Sequence, residues 1–152
     1  MVSAGFPAAR LLELPYVASP VTYGYTYMTT SLAAIRAQAG LDALFRGFAD
    51  PTRLRILNVL AAGEMCVCDL VALLRLPQPT VSRHLAYLRR VGLVAARREP
   101  RYAYYRLTPP RDAVHANLIG CVRDCFGGVA PLGSERRAAQ RQVRRRKNQP
   151  CE

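Results

Sequence analysis

Apolar residues recur at three- and four-residue spacing through most of residues 32–125, which is the period of helices with one buried face. The first such stretch ends before Asp50–Pro51, a pair that predicts the N-cap and the first residue of a second helix. We expect Gly63 to close this second helix, and a third helix to begin near Cys66 and to end before Pro77. The pattern therefore predicts three consecutive helices before residue 77.

The segment Gln78–Gly92 carries the clearest helical pattern in the chain. Val81, Leu85 and Leu88 form its apolar stripe, and Gly92 supplies a C-terminal stop. A short helix, a turn at residues 76–78 and this second amphipathic helix together are typical of a helix-turn-helix. In that motif the second helix enters the major groove of DNA and places its first turns against base edges.

Two β-leaning runs, at residues 93–97 and 102–107, predict a hairpin with basic flanks and a tight tip between them. A last helix follows Thr108–Pro109–Pro110, which we expect to cap it, and it runs up to Gly127–Gly128. Its apolar residues keep a near-heptad spacing that suits pairing with a second copy of the chain: Val114, Leu118, Cys121, Val122 and Cys125. The predicted fold class is mainly α with a small β-hairpin, a winged helix-turn-helix.

The two ends of the chain lack these patterns. Residues 1–30 contain three prolines and no sustained helical period, so we expect an irregular arm. Met28 precedes a plausible helix cap at residues 29–31 and is an alternative natural start. Residues 129–152 are rich in arginine and show no core-forming face, so we expect a basic, disordered tail. The winged helix-turn-helix then occupies residues 31–128.

The charge of the chain favours polyanionic partners. The formal net charge is +12 and comes almost entirely from arginine, since Lys147 is the only lysine. Nucleic acid is the first candidate and an anionic membrane surface is the second. No apolar run approaches the ~20 residues that a membrane span needs, and the N-terminus lacks the pattern of a signal peptide. We therefore expect a cytoplasmic protein with no membrane partner.

The placement of polar residues predicts the DNA contacts. Side chains in the first turns of the second helix would reach base edges, and hairpin arginines would reach the flanking minor groove or phosphates. A merely solvated basic face is the alternative, but helix, hairpin and net charge agree on DNA. The predicted DNA-binding residues are Gln78, Thr80, Ser82, Arg83, His84, Tyr87, Arg97, Arg98 and Arg101.

Cys66 and Cys68 lie one residue apart where the third helix should begin. Five cysteines without a secretory signal argue against a disulfide framework and leave metal, redox or packing roles. The helix N-terminus favours thiolates, and thiolate pairs select soft ions. Because each helical residue turns by about 100°, the two sulfurs meet only if the first turn unwinds or Cys66 lies outside the helix. Such a distortion of the helix that supports the DNA-reading helix would couple ion binding to DNA release.

Four segments, taken together, resemble the successive signatures of the ArsR/SmtB family: Phe48–Leu57, Cys66–Leu70, Gln78–Leu85 and Tyr104–Leu107. The resemblance implies a homodimeric winged-helix repressor of a metal- or metalloid-resistance operon, which dimerises through its first and last helices and leaves double-stranded operator DNA when the ion binds. The Cys-Val-Cys-Asp-Leu segment resembles the arsenic-sensing version of the family. It implies As(III) or Sb(III) as the inducer, bound by Cys66 and Cys68, and no organic cofactor.

One departure from the resemblance leaves the ligand set open. Arsenic sensors with this motif often carry another cysteine where this chain has Val71. A third thiolate would have to come from Cys121, Cys125 or Cys151, or two thiolates suffice, as would suit an organoarsenical. Cys121 and Cys125 are equally suited to packing in the apolar stripe, Cys151 is expected to be incidental, and His115 is expected to be solvated.

Other ligands and other protein classes stay open as alternatives. A family member could instead sense Cd, Pb, Zn or a redox signal, although the N-terminal arm has no cysteine and the last helix lacks the ligand spacing of the zinc sensors. A thiol redox enzyme would need a Cys-x-x-Cys motif on a sheet or a nearby base, so we expect no catalytic residues and no enzymatic activity. A nucleic-acid-packaging protein would also explain the charge. Operator binding with and without arsenite separates these classes.

Overall fold

The structure is a computed structural model that describes the backbone of residues 32–148 and the side chains of residues 40–146. The predictions for residues 1–30, for Met28 as a start and for Cys151 lie outside these residues. Within them, no helix is long and apolar enough to cross a membrane. The elements are α1 (Leu32–Phe48), α2 (Pro51–Leu60), β1 (Met65–Cys66), α3 (Val67–Leu74), α4 (Gln78–Arg90), β2 (Val94–Arg98), β3 (Ala103–Leu107), α5 (Ala113–Asp124) and α6 (Leu132–Asn148).

Helix α2 begins as the sequence predicts. Asp50 is its N-cap, and the Asp50 carboxylate accepts a 2.8 Å hydrogen bond from the backbone amide of Arg53. The helix ends at Leu60, so Gly63 lies in the turn that follows it. Gly63 has a φ of +146°, and a Cβ there would lie 3.2 Å from the Val143 side chain of α6. Glycine is therefore required for the backbone conformation and for the close approach of α6.

The core surrounds the predicted helix-turn-helix. Val81, Leu85 and Leu88 of α4 are fully buried, which confirms the predicted apolar stripe. They share one cluster with Leu70 and Leu74 of α3, and α3 packs against α4. Burying a leucine-sized side chain contributes about 1.5–3 kcal/mol, so the apolar stripe fixes α4 on its support.

The predicted hairpin is present, and a third strand joins it. β2 and β3 pair antiparallel, with Val94 opposite Leu107 and Arg98 opposite Ala103. The third strand is β1, which pairs with the other side of β3 and places Cys66 opposite Tyr104. A two-residue strand has no detectable period in the sequence, so it was not predicted. Cys66 is therefore part of the same sheet as the β2–β3 hairpin, which is the wing of the winged helix-turn-helix.

Helix α5 differs from its prediction in its cap and in its buried residues. Asp112, and not Thr108–Pro109–Pro110, caps the helix and accepts a 2.8 Å hydrogen bond from the His115 amide. The prediction of a solvated His115 is wrong, because this side chain faces the core and is fully buried. Burial, with a smaller contribution from the charge of Arg111, lowers the pKa of His115.

The prediction of a disordered tail is wrong, since α6 occupies residues 132–148 and docks against α2 and α3. Leu132 and Ala139 are buried, and Val143 covers Gly63. The guanidinium of Arg136 donates to the buried Asn58 side chain at 3.0–3.1 Å. A helix rich in arginine can thus join a fold when some of its arginines find buried acceptors on distant elements.

Candidate metal centre and nucleic-acid interface

Cys66 is the N-cap of α3, with extended backbone angles of φ −76° and ψ 161°. Because it precedes the first helical turn, its sulfur meets that of Cys68, and the two form a disulfide. The sequence argued against a disulfide framework but left a redox role open, and this one pair is the disulfide among the described residues, with Cys121 and Cys125 free. The alternative in which Cys66 lies outside the helix is confirmed, so the sulfurs come together without unwinding α3. Cys66 is buried, whereas Cys68 is exposed.

The carboxylate of Asp69 lies close to the two sulfurs. The ligand atoms of Cys66, Cys68 and Asp69 all lie within 4.8 Å of one another, and theirs is the only such group of three or more among the described histidine, cysteine and acidic side chains. The backbone amide of Asp69 also donates to the Cys66 sulfur at 3.3 Å. Asp69 was missed as a site residue, although its position in the first turn of a helix is where carboxylates are favoured.

Helix α6 covers this group of ligand atoms with two polar side chains. The Arg146 guanidinium lies 2.6 Å from the Asp69 carboxylate and donates to the Cys66 sulfur at 2.9 Å. Gln142 donates to the same carboxylate at 3.2 Å. The Arg146 side chain is 20% exposed and that of Asp69 is 10% exposed, so the ion pair is largely shielded from water. Neither α6 residue was predicted.

Cys121 of α5 and Cys125, the C-cap of that helix, form a separate thiol pair. Both are exposed and free, and neither joins the group formed by Cys66, Cys68 and Asp69 among the described side chains. A hydrogen bond with Cys121 raises the pKa of the Cys125 thiol. Within one chain, the structure therefore does not bring these cysteines to the first pair as further ligands.

The residues predicted on α4 divide into two sets. Gln78, Ser82 and Arg83 are exposed, and Thr80 is half-buried beside them. His84 and Tyr87 instead face neighbouring elements: His84 lies 3.5 Å from the Asp50 carboxylate, and the Tyr87 hydroxyl donates to the Ala43 carbonyl at 3.2 Å. The guanidinium groups of Arg53 and Arg90 also lie over the Tyr87 ring, at 4.4 and 5.0 Å from its centre.

The predicted arginines of the wing also divide into exposed residues and a residue that contacts neighbouring side chains. Arg98 and Arg101 are exposed near the hairpin tip. Arg97 is held by Glu64 at 2.9 Å and by Glu99, and its guanidinium lies 4.8 Å from the centre of the Tyr104 ring. Hydrogen bonds to the two carboxylates raise the pKa of Arg97. Arg97 thus ties the wing to the turn before β1.

Comparison with known proteins shows which protein family the chain resembles. The model of the bacterial regulatory proteins of the arsR family matches residues 50–96. The chain is 46% identical over 69 residues to an HTH-type transcriptional regulator of Methanocaldococcus jannaschii, a match that covers 45% of this chain and 78% of that protein. It is 47% identical over 77 residues to the arsenical resistance operon repressor of Escherichia coli, covering 50% of this chain and 66% of the repressor.

Solved structures agree with the sequence matches. Reduced HlyU from Vibrio cholerae superimposes with a TM-score of 0.53 at 31% identity, covering 62% of this chain and 96% of that one. The homodimeric winged helix-turn-helix DNA-binding domain Mb0332 from Mycobacterium bovis superimposes with a TM-score of 0.54 at 29% identity, and the match covers 63% of this chain and 86% of that one. The archaeal regulator and HlyU are thus matched over most of their lengths, and the E. coli repressor over slightly less than two thirds. The chain belongs to the ArsR/SmtB family of winged-helix transcriptional regulators.

Proposed function

We propose that the protein is a homodimeric repressor of an arsenic- or metalloid-resistance operon, which leaves its operator when As(III) or Sb(III) binds the Cys66 and Cys68 thiolates. The observation that carries the proposal is the meeting of two sulfurs at the N-terminus of α3, where Cys68 lies in the helix and Cys66 lies on β1, the strand that pairs with the wing. Similarity to the arsenical resistance operon repressors of Escherichia coli and Staphylococcus xylosus supports the choice of ligand.

The ligand atoms suit a soft, thiol-seeking ion. With the disulfide reduced, as thiols are in the cytoplasm, two thiols can displace two hydroxyl groups of arsenous acid and release two water molecules. The remaining hydroxyl group completes three-coordinate arsenic. No third thiolate is then needed, which accommodates Val71 and leaves Cys121 and Cys125 outside the site. Asp69 is the one additional oxygen ligand within reach among the described residues.

The DNA contacts follow from the exposed residues. Gln78, Thr80, Ser82 and Arg83 enter the major groove, while Arg98 and Arg101 reach the flanking minor groove or phosphates. Arg97, His84 and Tyr87 contribute mainly by holding the wing and α4 in place. Two recognition helices then read the halves of an inverted repeat about one helical turn apart.

Dimerisation through α1 and α5 is supported by exposed apolar side chains on both helices. Leu41 and Phe45 of α1 are 42% and 49% exposed, and Val114 of α5 is 40% exposed. Large apolar side chains left in water favour association with a second copy.

The route from the thiols to DNA runs through two direct connections. Cys66 pairs with β3 of the wing, and α3 packs against the recognition helix α4. An ion held by both sulfurs fixes the N-cap and the first turn of α3 in a new geometry. We infer that this change is passed to the wing and to α4, so that the dimer no longer matches its operator.

A redox-responsive repressor is the second candidate, and the disulfide favours it. In this case a two-electron oxidant converts the two thiols to the disulfide, releases two protons and changes the geometry at the same N-cap. The same residues serve both functions, so only the chemical trigger differs.

The deciding experiment is operator binding by the reduced protein with and without arsenite, in a phosphine reductant that does not chelate arsenic. Cys66→Ser and Cys68→Ser are the test variants, and serine preserves the N-cap at position 66. Cys121→Ser and Cys125→Ser are matched controls. Arsenite should release the wild type and both controls, but neither test variant. Equal release of all five proteins would exclude this site, and the absence of specific DNA binding would exclude the repressor.

The redox candidate is separated by a second arm without arsenite. A thiol oxidant such as diamide is added to the operator complex formed by the reduced wild type. If the oxidant releases the protein and arsenite does not, the redox function replaces metalloid sensing.

A further inference from the structure

We propose that Arg146 of α6 is a specificity-determining residue, which makes the Cys66–Cys68–Asp69 site reject divalent cations and accept uncharged arsenous acid. This inference rests on the proposed function and adds a selectivity device to it. The residue lies on a helix that packs against the site from the far end of the chain, 80 residues away from Cys66.

The geometry places a positive charge where a metal ion would bind. Arg146 lies 2.6 Å from the Asp69 carboxylate and 2.9 Å from the Cys66 sulfur, so it contacts two of the three ligand residues. Gln142 holds the other oxygen of the same carboxylate at 3.2 Å. The negative charge of Asp69 is thus already offset by α6, which makes this carboxylate a weaker ligand for a cation.

Electrostatics then separates the two ligand classes. A divalent cation bound by two thiolates and a carboxylate would lie a few ångströms from the guanidinium, and repulsion at that distance is weakly screened when the groups are largely buried. Divalent cadmium and zinc favour sites with several anionic ligands, and Arg146 offsets one of those charges. Arsenous acid is neutral at pH 7 and exchanges hydroxyl groups for sulfur, so the guanidinium does not repel it.

A purely structural role for Arg146 gives a different expectation. If the residue only anchored α6, its loss would loosen the site and weaken the binding of both ligands together. Selectivity is therefore the informative quantity. It is measured as the ratio of the cadmium affinity to the arsenite affinity of the fully reduced protein.

The test compares Arg146→Gln with two matched variants. Arg146→Lys keeps the charge, and Arg144→Gln removes an equal charge from an exposed position on the same helix. Cadmium binding is followed by thiolate-to-cadmium charge-transfer absorbance, and arsenite binding by calorimetry. We expect Arg146→Gln to bind cadmium at least about tenfold more tightly, while its arsenite affinity stays within about threefold of the wild type. Arg146→Lys and Arg144→Gln should keep the wild-type ratio.

An unchanged ratio in Arg146→Gln, or an equal change in Arg144→Gln, would overturn the proposal. If Arg146→Gln fails to fold, Asp69→Asn decides: without the carboxylate that offsets the guanidinium charge, cadmium affinity should fall by at least about tenfold and arsenite affinity should persist, whereas equal losses of both would overturn the proposal. Failure of the proposed function is recognised separately, because the wild type would then bind no arsenite through Cys66 and Cys68.

Discussion

The helix-turn-helix and helix α6 are attached to the same core by different combinations of forces. Helix α4 is held by a continuous apolar stripe of Val81, Leu85 and Leu88. Helix α6 also packs apolar side chains, Leu132, Ala139 and Val143, and is held in addition by charged groups, through Arg136 on Asn58 and Arg146 on Asp69. Apolar packing holds the DNA-recognition helix α4 firmly in place, whereas charged contacts can be exchanged for contacts with a ligand. The first arrangement suits recognition and the second suits regulation.

The largest effect is expected in the core of the helix-turn-helix. Leu85→Ala removes a fully buried side chain and should lower the free energy of unfolding by about 2–5 kcal/mol. Urea unfolding measures the loss, and Ala86→Ser, at an exposed neighbouring position, is the control. A loss no larger than that of the control would mean that α4 is not held by its apolar stripe.

A smaller effect is expected where α6 docks. Arg136→Ala leaves the buried Oδ1 atom of Asn58 without its guanidinium donor, while the Asn58 amide still donates to the Leu132 carbonyl, and the loss should cost about 1–3 kcal/mol. Limited proteolysis should then cut within α6 before the rest of the domain, while operator binding is retained. Arg137→Ala, at an exposed position on α6, is the control. Simultaneous cleavage of α4 and α6 would show that the two regions are not held independently.

These two regions also differ in how well the sequence predicts them. The helix-turn-helix and the helix before it are encoded locally: Asp50–Pro51 starts α2, and the stripe from Val81 to Leu88 shows which face of α4 is buried. The docking of α6 depends on pairs such as Arg136 with Asn58, which are 78 residues apart. Leu132, Ala139 and Val143 do recur at helical spacing, but the arginines between them suggest a solvated tail. Strand β1 was equally hidden, because it depends on the extended backbone at Cys66, whereas the contact between the two sulfurs was one of the two alternatives that helix geometry left open.

The recognition surface should respond to mutation without a loss of stability. Arg83 is exposed on α4, so Arg83→Ala should weaken operator binding by about 1–2 kcal/mol and leave the unfolding midpoint unchanged. Arg89→Ala, also exposed but at the end of the helix, should have the smaller effect on affinity. Fluorescence anisotropy at fixed salt measures both variants. Equal losses would indicate a general charge effect in place of base recognition.

The smallest effect is expected from pH. Burial lowers the pKa of His115, so the unfolded chain binds a proton more readily than the folded chain between the folded and unfolded pKa values. The contribution of His115 to the free energy of unfolding is therefore complete above the unfolded pKa of about 6.5 and declines as the pH falls below that value. The slope of this decline corresponds to the uptake of no more than one proton on unfolding. Urea midpoints between pH 5.5 and 7.5 should show this decline in the wild type. His115→Gln should reduce it, and an identical slope in this variant would assign the pH dependence to other groups.

The central claim is that the Cys66 site and the DNA-reading surface are coupled through β1 and α3. Coupling between two binding sites is reciprocal, so the most direct test is the arsenite affinity of the reduced protein, free and saturated with operator. We predict that operator weakens arsenite binding by the same factor by which arsenite weakens operator binding, on the order of 5- to 150-fold. Equal arsenite affinity in the free and operator-bound protein would contradict the account.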